Sequence, residues 1–364
     1  MTVKEIVSVL EDFASPGYQE SYDNSGLLVG NAAQAIDAVL LTIDITPEVL
    51  DEAIKKGAGL IIAHHPLIFD GLKRLNGSDD QQKIIIKAIK SDIAIYAAHT
   101  NFDNMYNGVS YKMCEKLSLV NTKVLRPVKG GLHKLACFVP KDHAEAVREA
   151  VFNAGAGVIG DYDQCSFNLE GKGTFRGGED TNPFVGEKGK LHFEEEVRVE
   201  TIVPSIKLKK VISDMIAAHP YEEVAYDIYP LENENPLIGA GVIGELPDAL
   251  DEKKFLDKLK TAFNITYIRH TKLLNKKIRR VAMCGGAGSF LLRDAMAQEA
   301  DIFITGDFKY HQFFDAENKI IIADIGHYES EQYTKDIFYE LLIKKFPKFA
   351  IHFSEVNTNP INYY

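Results

Sequence analysis

The sequence predicts a split α/β domain with a mostly parallel sheet, interrupted by an inserted ferredoxin-like α+β domain. Three observations predict it. Apolar β-rich runs alternate with helical periodicities in the outer thirds of the chain, the middle third changes to the order βαββαβ, and residues able to bind metal follow strands in both outer thirds.

In the first third, Val3, Ile6, Val7, Leu10 and Phe13 recur at helical spacing, and Ser15-Pro16-Gly17 ends that helix. Residues 38–43 form a β-rich run. Thr46 then offers an N-cap with Pro47 at the first helical position, and Gly57 closes the helix. Another strand is expected over 59–63, a helix near 81–90, a strand over 93–98 and a helix over about 109–117. Strands separated by helices require crossover connections, and hence a largely parallel sheet. The last third has strands at 278–284, 302–305, 319–324 and 350–353, with helices at 289–299 and about 330–345.

The middle reads as strand 134–139, helix 143–154, strands 164–171 and 189–204, helix 206–217 and strand 224–229. The glycine-rich stretch 171–189 suits a loop or hairpin between the two central strands. The expected organisation is therefore residues 1–128 and 234–364 as the two halves of one domain, with 129–233 inserted.

Composition narrows the function. At 364 residues, 46% hydrophobic and 26% charged, the chain can bury a core without disulfides. A formal charge of −11 opposes sequence-independent nucleic-acid binding, which needs a basic surface. The basic cluster Lys276-Lys277 with Arg279-Arg280 reads as a solvated strand edge. Cys114, Cys137, Cys165 and Cys284 form no CxxC pair, which excludes a zinc ribbon and fits reduced thiols in a cytoplasmic protein. No signal-peptide pattern opens the sequence, and no apolar run approaches the ~18 residues of a membrane span.

The chemistry gathers after strands. His64-His65-Pro66 follows the strand at 59–63, His99 and Asp103 follow the strand at 93–98, and His327 and Glu331 follow the strand at 319–324. Ligand sites of open α/β sheets lie beyond the carboxyl ends of their strands. On a helix, His327 and Glu331 at i and i+4 project from one face. His99 and Asp103 share that spacing in a segment read as a loop, where His99 suits support of a ligand better than ligation. Pro66 keeps His65 extended, so adjacent imidazoles point apart and one can serve each of two ions. Imidazoles and carboxylates without thiolate suit zinc, iron, manganese or cobalt.

Asp307 and His311, after another strand, could stand behind the ligands or donate a proton, as could Asp44. Asp23 and Asn24 read as turn-formers. Gly285-Gly286-Ala287-Gly288 could present amides to an anion but suits tight helix–strand packing better. His219-Pro220-Tyr221-Glu222-Glu223 reads as a helix-ending turn.

In combination, several segments resemble the Ngg-one-interacting-factor-three-like family of dinuclear metal-centre proteins, often labelled GTP cyclohydrolase 1 type 2 homologues. They are Asp23-Asn24-Ser25-Gly26-Leu27, Ile62-Ala63-His64-His65-Pro66, His99-Thr100-Asn101-Phe102-Asp103, Thr305-Gly306-Asp307 with His311, and Gly326-His327-Tyr328-Glu329-Ser330-Glu331. Tyr22 stands where the family usually has an aromatic residue. The resemblance implies two divalent ions per chain, ligated by His64, His65, Asp103, His327 and Glu331. It also implies an insert resembling PII-type signalling proteins and a ring-shaped homohexamer. The expected activity is hydrolysis by metal-bound hydroxide, with a non-enzymatic metal-binding regulatory or interaction protein as the alternative.

Overall fold

The protein is described here by a computed structural model covering residues 1–362. It has a mixed α/β fold with several sheets, and the chain divides into two compact units. One comprises Met1–Pro127 with the chain from Leu237 onward; the other is Val128–Pro236.

In the first unit, a five-stranded sheet runs in the order Gly26–Val29, Ala94–Ala97, Leu60–Ala63, Ala38–Thr42 and Ala350–Phe353. The last four strands are parallel and Gly26–Val29 is antiparallel to its neighbour. Its inner strands are buried throughout because both faces are covered. Val39, Leu41, Leu60 and Ile62 pack with Val3, Ile6 and Leu10 of helix Val3–Phe13 and with Phe338 and Leu342 of helix Thr334–Lys345. Alternate residues Leu40, Ile61 and Ile95 pack with helices Pro47–Lys56 and Asp80–Lys90. Thr46 accepts the Val49 amide at 3.3 Å and Gly57 closes its helix at φ +66°, as their positions in the sequence predict.

A six-stranded sheet completes this unit, in the order Arg269–His270, Ile321–Asp324, Ile302–Gly306, Lys277–Ala287, Glu234–Asp251 and Val120–Lys129. Here the expectation of one mostly parallel sheet needs correction: there are two sheets. In the second, Lys277–Ala287, Ile302–Gly306 and Ile321–Asp324 are mutually parallel, while Glu234–Asp251 runs antiparallel to Lys277–Ala287 and Arg269–His270 antiparallel to Ile321–Asp324. The long strand Glu234–Asp251 escapes pattern reading because Pro236, Gly239, Gly241, Gly244 and Pro247 punctuate it. The single helix expected over 330–345 is also two helices, His327–Glu331 and Thr334–Lys345.

The second unit is a four-stranded antiparallel sheet in the order Ser166–Phe175, His192–Pro204, Leu132–Pro140 and Tyr226–Leu231. Val197, Val199 and Val203 alternate along their strand and pack with Val147 and Val151 of helix Ala144–Asn153 and with Val211 and Met215 of helix Leu208–Ala218.

Phe338 is fully buried, with its ring edge-on to Phe102 at 5.1 Å. Phe338→Ala is expected to destabilise the first unit by about 3–5 kcal/mol, read as a lower urea midpoint.

Candidate metal centre

The parallel strands of both sheets in the first unit end towards one cluster. Asp44 follows Ala38–Thr42, His64 and His65 follow Leu60–Ala63, and His99 follows Ala94–Ala97. From the other sheet, Asp307 follows Ile302–Gly306 and His327 follows Ile321–Asp324. The amides of His64 and His65 still donate to Thr42 and Ile43 (3.3 and 2.9 Å), so sheet hydrogen bonding fixes the backbone of the pair. The segment from His99 to Asp103 is not a loop: Thr100–Asp103 forms one helical turn. Asn101 accepts the His99 amide at 3.0 Å and its own amide group donates to the Ala14 carbonyl, local bonds that a four-residue spacing does not reveal.

Each of four imidazoles is fixed through Nδ1. His64 Nδ1 donates to the Ala98 carbonyl at 2.8 Å, His65 Nδ1 to Asp44 at 2.7 Å, His99 Nδ1 to Asp23 at 2.8 Å and His327 Nδ1 to Asp307 at 2.7 Å. Carbonyl and carboxylate oxygens can only accept here, so the proton sits on Nδ1 and the lone pair of each neutral ring on Nε2. An oxygen partner on the far nitrogen is the arrangement that orients histidine ligands and raises their basicity.

The free Nε2 atoms converge on Glu331. Its Oε2 lies 2.9 Å from His65 Nε2 and 3.1 Å from His327 Nε2, and these two nitrogens are 3.3 Å apart. Its Oε1 is 3.6 Å from His64 Nε2, which is 3.7 Å from Asp103 Oδ1. His64 Nε2, Asp103 Oδ1 and Glu331 Oε2 are buried without a hydrogen-bonding partner. Such orphans cost about 1–3 kcal/mol each, more when charged. Two sets, His65 with His327 and Glu331, and His64 with Asp103 and Glu331, each bring their ligand atoms within 4.8 Å of one another and could hold a metal ion. A third set joins His64, His65 and His99. A divalent cation meets what these orphaned lone pairs lack, so the residues fit a metal.

Charge in the metal-free cluster is strongly redistributed. Burial opposes the cationic form of His65, but its bond to Asp44 and the Glu331 charge beside it prevail and raise it to about 10. His327 rises likewise to about 9, against burial, through Glu331 and Asp307. Asp103 is pushed up to about 7 by burial and by the Glu331 charge. Glu331 is held well below the carboxylate range: burial opposes its charge, but His64, His327 and His65 surround it. Burial keeps the Cys284 thiol protonated, reinforced by the Asp103 and Glu331 charges, so no thiolate competes.

Glycines make room for this packing. At Gly286 (φ +60°) a Cβ would sit 2.3 Å from Glu331 Oε1, and at Gly306 one would meet the His327 backbone nitrogen at 2.8 Å. The amides of the glycine-rich segment are occupied: Gly286 N donates to Ser330 and Gly288 N to Thr305, both at 2.9 Å. That segment seats a helix against a strand, the packing role its composition favours.

The structure thus brings together His64, His65, Asp103, His327 and Glu331, with His99 beside them and Asp307 behind His327. His311 lies apart, exposed, with its ring against Tyr310 and Phe314. Sequence reading gave Asp23 only a turn. Asp23 instead accepts from His99, from Ser25 (3.0 Å) and from both the amide and the hydroxyl of Thr100. Although burial opposes its charge, the His99 and Thr100 bonds hold it well below the carboxylate range. Its signal in the sequence was its place in Asp23-Asn24-Ser25-Gly26-Leu27, one of the segments that carry the family resemblance.

The arrangement defines a class, the α/β proteins with a histidine–carboxylate cluster that could hold metal at converging strand ends. The sequence pattern of Duf34/NIF3 (NGG1p interacting factor 3) matches residues 1–360. The chain belongs to this family. It is 40% identical over 363 residues to a Halalkalibacterium halodurans protein named GTP cyclohydrolase 1 type 2 homolog, covering 98% of each chain. The Bacillus subtilis protein of that name is 38% identical over 365 residues, covering 99% of this chain and 98% of its own. Among solved structures, a Bacillus cereus protein related to NIF3 superposes with TM-score 0.87 at 40% identity, over 100% of this chain and 99% of that one. Staphylococcus aureus SA1388 gives 0.78 at 29% identity, again over 100% and 99%.

Two expectations follow. Gly286→Ala would force both a strained backbone and a displaced Glu331, lowering metal affinity at least about tenfold by chelator competition. His65 and His327 are both raised in the metal-free protein. Metal must displace their protons, so affinity should rise roughly tenfold per pH unit for each proton released between pH 7 and 9.

Proposed function

We propose that this cluster holds two divalent ions, of zinc, iron or manganese, and that the protein is a metal-dependent hydrolase of the kind its relatives' name, GTP cyclohydrolase 1 type 2 homolog, describes. His65, His327 and Glu331 would hold one ion, and His64, Asp103 and Glu331 the other. The observation that carries this reading is the convergence of three buried, unpartnered polar atoms, His64 Nε2, Asp103 Oδ1 and Glu331 Oε2, on one place. Bound divalent ions supply Lewis acidity towards a substrate oxygen and lower the pKa of water.

This chain's residues set the rest. Asp44 and Asp307 orient His65 and His327 through Nδ1. His99 is oriented by Asp23 and belongs to neither carboxylate-containing set, so its Nε2 is the atom that holds and moves a proton. The substrate has a C–N or phosphorus–oxygen bond open to water.

The finer architecture belongs to the same reading. The strand order of the Val128–Pro236 unit supports a ferredoxin-like, PII-like insert within a split metal-binding domain. The resemblance implies a ring-shaped homohexamer, and the unpaired cysteines fit a cytoplasmic location. Among the described residues no helix is long and apolar enough to cross a membrane.

Elemental analysis should find about two metal ions per chain, falling to one or fewer in Glu331→Gln. His99→Ala should keep the metal but lose at least about a hundredfold in turnover of the responding substrate, screened among GTP, pterin precursors and phosphoesters. Full metal content with no turnover of any compound would favour a non-enzymatic metal-binding regulator.

A further inference from the structure

The second unit contains a cavity of its own, about 390 Å³, that the metal chemistry does not use. It is walled by Phe175, Phe184 and Tyr221, whose ring centroids lie 6.0 Å (Phe175–Tyr221) and 6.3 Å (Phe184–Tyr221) apart. The rings are tilted at 58° and 51°, so they form separate walls rather than a stack.

A carboxylate reaches the same space. Glu196 lines the cavity and one of its oxygens accepts the Tyr221 hydroxyl at 2.9 Å. Among the described residues no lysine, arginine or histidine pairs with it. Its other oxygen lies where a side chain on the neighbouring strand would be: a Cβ at position 173 would stand 2.1 Å from Glu196 Oε2. Gly173 and Glu196 are diagonal neighbours across the paired strands, and only the glycine leaves the carboxylate this position.

The turn that carries Tyr221 is built to hold it. His219 is buried; its Nε2 donates to the Phe138 carbonyl at 3.0 Å and its Nδ1 accepts the Tyr221 amide at 3.1 Å. The segment His219-Pro220-Tyr221-Glu222-Glu223, which the sequence marks only as a helix-ending turn, thereby supplies an aromatic wall and two further acidic groups. The charged lining is one arginine, Arg176, against three carboxylates, Glu196, Glu222 and Glu223, a net charge of −2.

Aromatic faces carry negative potential and attract cations held over them, and a nearby carboxylate completes the match. We propose that this cavity binds a small organic ammonium ion, held against Phe175, Phe184 and Tyr221 with Glu196 as its counter-ion. A neutral compound of the same shape would forfeit the attraction to both rings and carboxylate, and an anion would be opposed by the lining.

Titration calorimetry on the full-length, metal-loaded protein tests this with tetramethylammonium and choline. The uncharged choline isostere 3,3-dimethylbutan-1-ol and the anion benzoate serve as comparisons. Choline should bind at least tenfold more tightly than the alcohol, and benzoate should not bind. Glu196→Gln and Tyr221→Ala should each weaken choline at least tenfold with metal content unchanged. Gly173→Ala displaces only the flexible end of Glu196, so it should fold as the parent does and still weaken choline. The proposal is overturned if neither ammonium ion binds more tightly than the alcohol, if benzoate binds more tightly than both, or if folded Gly173→Ala and Glu196→Gln bind choline as the parent does.

Discussion

A carboxylate taken out of water must be met by positive charge or by donated hydrogen bonds, and Glu331 is 2% exposed. It meets three imidazole Nε2 atoms, two of them within 3.1 Å, yet Oε2 forms no well-aligned hydrogen bond. Everything around the cluster serves that one burial. Gly286, lacking a Cβ, leaves room for the carboxylate, Ser330 anchors the short helix to the Gly286 amide, and Asp44 and Asp307 hold two of the rings from behind.

The same electrostatics explain why so many aspartates stand one bond away from the cluster. A histidine with an anionic partner on Nδ1 is held in one orientation, with Nε2 turned towards the cluster. His65, His99 and His327 each have such an aspartate, whereas His64 is held by the Ala98 carbonyl. The fully buried His64 is therefore the one of the four rings with no carboxylate on Nδ1. Asp307 makes its contact from left-handed backbone at φ +57°, a conformation uncommon for aspartate and set by the tight end of its strand.

Much of the fold could be read directly. Helices Val3–Phe13, Pro47–Lys56 and Val109–Leu117 were legible from spacing and caps, and strand Ala350–Phe353 from its apolar run. Strands Val120–Lys129 and Glu234–Asp251 were not, because prolines or glycines interrupt them and their partners lie far along the chain. Their absence from the reading turned two sheets into one. Of the cluster, the residues after strand ends could be found by position. Asp44 and Asp307 could also be read as residues able to stand behind the ligands, but not which ring each one holds, and Asp23, 76 residues from His99, read only as a turn.

The sequence by itself determined which residue types follow which strands, because periodicity and turn chemistry are local properties. It thereby pointed to a histidine–carboxylate cluster drawn from both outer thirds of the chain. Only the tertiary structure decided which nitrogen of each ring is free and which oxygens are left without partners. It also decided that His311 stands apart and that a helix-ending turn in the second unit walls an aromatic cavity. Those depend on distances between residues remote in sequence, which packing fixes and local patterning does not encode.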